Sequence, residues 1–132
     1  MDAEGKLVSM IMEANEYVRY AAVCNNDAQI LWESHRNFVN NILTEEETKS
    51  ALKRSIEAWK NRDELANKIG KGRYAIEGYD KIKRITIPLD NSHLLFISLD
   101  NTPLQATKGK SYGHLVEMGK IMSIVDFVNE NQ

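Results

Sequence analysis

The stretch GRYAIEGYDKIKRITIPLDNSHLLFISLD, residues 72–100, limits what this chain can fold into more than any other part of it. Ile85, Ile87 and Leu89 alternate with Arg84, Thr86 and Pro88, the period of two that a strand requires. Tyr74, Ile76 and Gly78 share one face of a preceding strand. HLLFISL is almost continuously apolar, as expected of a strand covered on both faces. The connections between these runs, DNSH among them, are too short for a crossover, so the three strands are expected to lie antiparallel in series. Pro88 has no N–H to give to a ladder, which puts it on an edge strand or at a strand's end.

Such a sheet must be covered, and the flanking sequence supplies amphipathic helices. Leu7, Met10, Ile11, Ala14 and Val18 recur at helical spacing, while Lys6, Glu13 and Glu16 fall elsewhere. Residues 18–35 read as a β-hairpin turning at Asn25-Asn26-Asp27, side chains that bond their own backbone. Residues 36–43, RNFVNNIL, keep no sustained period and read as a loop or a helical turn. Thr44 stands three residues before Glu47, the reciprocal capping-box spacing, so a helix is expected to start there. Glu45, Glu46 and Glu47 suit its positive end, Leu52, Ile56, Trp59, Ala66 and Ile69 form its apolar face, and Gly70 and Gly72 end it. After the loop DNTPLQATKGKSYG, a last helix presents Leu115, Met118, Met122, Val125 and Val128. Met10, Met12, Met118 and Met122 read as core filler. The predicted class is α+β, a five-stranded antiparallel sheet with flanking helices in the order α-β-β-α-β-β-β-α, as one domain over residues 1–132.

The 132 residues suffice for one core without disulfides or metal. Seventeen basic residues against nineteen acidic ones, net charge -2, exclude the strongly basic balance of a generic nucleic-acid binder. Cys24 is the only cysteine, which excludes an internal disulfide framework and suits a reducing, cytoplasmic setting. The opening segment MDAEGKLVSMIMEANEYV carries Asp2 and Glu4 where a secretion signal needs positive charge, and no run approaches the roughly 18 apolar residues of a membrane span.

No catalytic constellation emerges. KGKS, residues 108–111, lacks the glycine that a phosphate loop needs five residues before Gly109, since position 104 is leucine. Lys108, Lys110 and Ser111 keep one simpler role, contact with an anion near a helix start, with Ser111 as an N-cap the plainer reading. His35, His93 and His114 lie in separate segments without ligand spacing, so no metal is expected. Asp90, Ser92 and His93 are sequence neighbours in a turn, and such neighbours do not align as nucleophile, base and orienter. Cys24 has no second cysteine and reads as an inert thiol. Enzymatic activity and a bound cofactor are therefore not expected.

The element order, carried by VRYAAVCNND and QILWESH, the helix from Thr44, RYAIEGY, RITIPL, LLFISL and HLVEMGKIMSIVDFV, resembles the roadblock/longin group of profilin-like domains, small archaeal proteins of this type among them. The resemblance implies an interaction module: members commonly dimerise through the central helix and the strand after it, and several serve as platforms for small GTPases or trafficking complexes. Carried onto this chain, the surface would comprise Trp59, Arg62 and Asp63 on the helix with Arg73, Tyr74, Ile76 and Tyr79 on the strand. An edge strand, with its unpaired N–H and C=O groups, suggests the same surface on physical grounds. The charge-dense helix EEETKSALKRSIEAWKNRDELANK is more polar than a tight dimer helix requires. Two other readings stay open: a small-molecule sensor lined by Trp32 and Phe96, and a nucleic-acid binder using the basic run Lys68, Lys71, Arg73, Lys81, Lys83 and Arg84.

Overall fold

The computed structural model describes residues 2–36, 42–101 and 113–130. Their order is α1 (Ala3–Ala14), β1 (Val18–Cys24), β2 (Ile30–His35), α2 (Glu45–Asp63), α3 (Ala66–Ile69), β3 (Ala75–Gly78), β4 (Ile82–Pro88), β5 (Leu94–Asp100) and α4 (Gly113–Glu130). The strands form one antiparallel sheet in the order β2-β1-β5-β4-β3. The α+β class, the five strands and the antiparallel β3-β4-β5 series agree with the sequence reading. Pro88 closes β4, opposite Leu94, where its missing N–H costs the ladder little.

The sheet divides two cores. On one face Ile85, Ile87, Leu95, Ile97 and Leu99 meet Leu7, Val8 and Ile11 of α1 and Met118, Ile121 and Val125 of α4. On the other, Tyr20, Ala22, Cys24, Leu94 and Phe96 meet Ala51, Leu52, Ile56 and Trp59 of α2. Strand β5 feeds both cores alternately, which is why its sequence shows no polar period. Bulges on β1, at Val18/Tyr20 against β5 and at Val23/Cys24 against β2, adjust this alternation.

Helix starts are set by local side chains. Asp2 caps α1 by accepting from Gly5 N at 3.0 Å. Thr44 and Glu47 form the expected reciprocal box at the start of α2, with bonds of 3.0 and 3.1 Å. Helix exits differ from expectation. Ala14 is exposed, and the buried stripe of α1 is Leu7, Val8, Ile11 and Met12. The central helix stops at Asp63, turns through Glu64 and Leu65, and resumes as the single turn α3. Ile69 consequently leaves the apolar face and stands 79% exposed. At the first hairpin the left-handed residue is Ala28, φ 62°, not one of the Asn-Asn-Asp triplet. Asn25 holds that turn together by accepting from the Asp27 and Gln29 N–H groups, both at 3.0 Å.

Long-range polar contacts close the frame. Arg36 donates through Nε to Val18 O at 3.0 Å and through Nη2 to Met12 O and Asn15 O, both at 2.8 Å. A residue after β2 thereby caps the C-terminal end of α1, whose last turn holds no basic side chain. At the opposite end Glu4 accepts from Asn91 Nδ2 at 2.9 Å and meets His93 Nδ1 at 2.8 Å, fastening the β4–β5 turn to the first turn of α1.

Candidate functional site

The interface residues expected from sequence fall on two segments joined by α3: the last turns of α2, and the edge strand β3 with its flanks. Trp59 organises them from inside. Its indole Nε1 donates to Thr86 Oγ1 on β4 at 2.9 Å, and the Arg62 guanidinium lies 4.6 Å from its ring centroid. Gly72 packs directly on the same ring, where a Cβ would lie 2.5 Å from Trp59 Cζ3 and force a shift. Trp59 is only 6% exposed, which corrects the expectation of a surface contact. It fastens α2 to the chain entering β3 and sets the position of that edge.

Arg62, Asp63, Arg73, Tyr74 and Tyr79 are exposed around it. Tyr74 is 52% exposed and precedes β3, whereas Ile76 is half-buried against the α1/α4 core. Tyr79 donates to Glu77 Oε2 at 3.1 Å, and Arg84 lies 5.2 Å from its ring. The sequence reading missed the outward turn of Leu65 and Ile69, because the spacing from Trp59 to Ala66 continues a helical period through the break. As the last strand in the order, β3 has one ladder edge unpaired among the described residues.

Other expectations are divided by the sheet. Lys83 and Arg84 point to opposite faces, and Lys83 is 2% exposed, so the basic run is not one surface. Lys68, Lys71, Arg73 and Lys81 are its exposed members. Trp32 packs with the α1/α4 core and Phe96 with the α2 core, so the two cannot line one pocket. Phe96 does border a cavity of about 420 Å³ on the α2 face. Lys108, Lys110 and Ser111 lie outside the described residues. His93 is engaged by Glu4, and among the described residues no group of three or more His, Cys, Asp or Glu side chains is placed to hold a metal.

Cys24 is fully buried, and burial pushes its thiol up to about 11. The Tyr20 phenol is raised far above its ordinary value, first by burial and then by its 2.7 Å bond to the Glu33 carboxylate and that charge. Neither group is activated for chemistry near neutral pH. Among the described residues no helix is long and apolar enough to cross a membrane.

No protein-family model and no curated protein matches the sequence. Solved structures do match its fold. A Roadblock/LC7 domain from Streptomyces avermitilis superimposes with a TM-score of 0.65 at 9% identity, covering 96% of this chain and 95% of that one. The gliding protein MglB from Thermus thermophilus gives 0.66 at 9% identity, over 98% of this chain and 90% of its own. Myxococcus xanthus MglB gives 0.62 at 12% identity, over 97% and 95%. These neighbours lend no support to the archaeal likeness. At such identities the agreement concerns architecture, and over nearly its whole length this chain has the Roadblock/LC7 fold.

Proposed function

We propose that the chain is a non-catalytic interaction module that acts as a homodimer, joined along the β3 edge and the adjoining C-terminal part of α2. The observation that carries this reading is an unpaired strand edge flanked by large apolar side chains turned to solvent, Leu65, Ile69, Tyr74 and Tyr79. Pairing two such edges satisfies their N–H and C=O groups and buries those side chains together. Two-fold symmetry lets the adjacent opposite charges Arg62 and Asp63 face their counterparts, which offsets the polarity of the helix. One structural neighbour is described as MglB with a tetrameric arrangement, so self-association has precedent on this fold. The lone buried Cys24 suits a reducing compartment such as the cytoplasm.

The test is solution mass by light scattering over a dilution series, on wild type and on an Ile69→Lys, Tyr74→Lys variant. Ile76 is left unchanged because it packs against the core. A wild-type dimer that becomes a folded monomer in the variant is expected; a wild-type monomer at every concentration would refute the proposal. A heterologous partner, a small GTPase being the class the resemblance implies, is then sought by pull-down with both forms.

A further inference from the structure

Helix α2 covers only part of its face of the sheet. It packs over Ala22, Cys24 and Leu94, and beyond its first turns the sheet surface around Tyr20, Arg84, Phe96 and Ser98 opens into the cavity of about 420 Å³. That volume falls in the range of roughly 300–1,000 Å³ typical of small-molecule sites. The floor is aromatic: Tyr20 and Phe96 meet edge to face at 6.3 Å, and the His35 ring lies tilted against Tyr20 at 4.6 Å. Ile42, Leu43 and Ile82 add apolar wall, and Ile42 is exposed.

The cations of the cavity are not equivalent. Arg19 is committed to Asp100, 2.6 Å away, and Arg36 to three backbone carbonyls, while Lys49 on α2 is exposed to solvent. Arg84 is different. It is half-buried, its guanidinium stands 5.8 Å from the Phe96 ring and 5.2 Å from Tyr79, and Glu77, the carboxylate opposite it in the β3–β4 register, accepts from Tyr79 Oη at 3.1 Å and makes no ion pair with it. Stacking orients a guanidinium but leaves its planar fork of donors open, a geometry matched to a carboxylate. Of the carboxylates lining the cavity, Glu33 is engaged by Tyr20 Oη at 2.7 Å, while Glu45 and Glu46 are exposed in the first turn of α2.

We propose that this cavity binds a small planar carboxylate, its flat apolar body against Tyr20 and Phe96 and its carboxylate on Arg84. The cavity adjoins the β3 edge, because Arg84 stands opposite Glu77 of β3 and 5.2 Å from the Tyr79 ring, but the residues that would touch the ligand, Tyr20, Phe96 and Arg84, are not those proposed to join two copies. The probe is 2-naphthoate, with neutral 2-naphthylmethanol as its uncharged counterpart, titrated by protein-observed NMR into wild type, Arg84→Gln and Ser98→Trp. Arg84→Gln removes the charge and keeps a polar amide on a shorter stem; Ser98→Trp fills the cavity from its floor. Saturable naphthoate binding in wild type is expected, weakened about tenfold or more in Arg84→Gln and for the neutral alcohol, and abolished in folded Ser98→Trp. Absence of saturation at millimolar naphthoate, equal affinity for the alcohol, or binding that persists in Ser98→Trp would each overturn the assignment.

Discussion

Gly72→Ala is the substitution that most directly tests how the association edge is held. A Cβ at this position would lie 2.5 Å from Trp59 Cζ3, 3.3 Å from Cη2 and 3.5 Å from Cε3. Carbon atoms normally approach to about 3.5–4.0 Å, so the ring or the strand entrance must retreat by roughly 1 Å. The ring has little freedom to do so, because Nε1 is bonded to Thr86 Oγ1 at 2.9 Å and Arg62 covers one face. Overpacking of this kind costs about 1–3 kcal/mol. Against it stands about 0.4–1 kcal/mol gained when alanine restricts the unfolded chain. The net expectation is a loss of about 1–2 kcal/mol, a fall in Tm of roughly 4–7 °C for a domain of this size. Thermal and urea unfolding followed by far-UV circular dichroism measures it. Gly78→Ala, where nothing lies within 4 Å, serves as the control and should change stability by less than about 0.5 kcal/mol. Trp59→Phe removes the distal ring that the methyl strikes, so the two substitutions should couple by about 1 kcal/mol or more in a double-mutant cycle. Strict additivity, or a stabilised Gly72→Ala protein, would refute the reasoning.

Arg36→Gln should cost about 2–3 kcal/mol by chemical unfolding, since it removes charge-assisted bonds to three carbonyls, one of them at the C-terminal end of α1. Thr44→Ala should cost about 1 kcal/mol through loss of the capping box, with a matching loss of amide protection confined to the first turn of α2. Cys24 should resist a thiol reagent at pH 8 until the protein unfolds. Its raised pKa also fixes a sign. The folded state keeps the thiol proton to about pH 11 while the unfolded chain releases it near 9, so stability should fall as pH rises between those values. Cys24→Ala should flatten that slope in urea titrations, leaving the Tyr20 phenol to contribute above pH 10.

What the sequence determined by itself was the list of elements and their order. Those signals are local: Thr44 and Glu47 are one helical turn apart, Ile85 and Ile87 one strand repeat apart, and the continuous apolar run of β5 already implied cover on both faces. That β3 lies at the edge was not legible in this way: the residues around it came from the family resemblance, and strand order placed it. Tertiary structure alone decided which side of the sheet each residue faces and what it meets there. Strand alternation put Lys83 and Arg84 on opposite faces and dissolved the apparent basic run, and it set Trp32 and Phe96 in different cores. The break at Glu64 and Leu65 turned Ile69 outward against an unbroken period, while Trp59 went inward to Thr86, 27 residues away. Nothing near Arg36 announces that it caps α1, and nothing near Arg84 announces a cavity beside it. Periodicity reports on neighbours within a turn or a strand, whereas strand order, bulges and the reach of α2 across the sheet join residues that share no local signal.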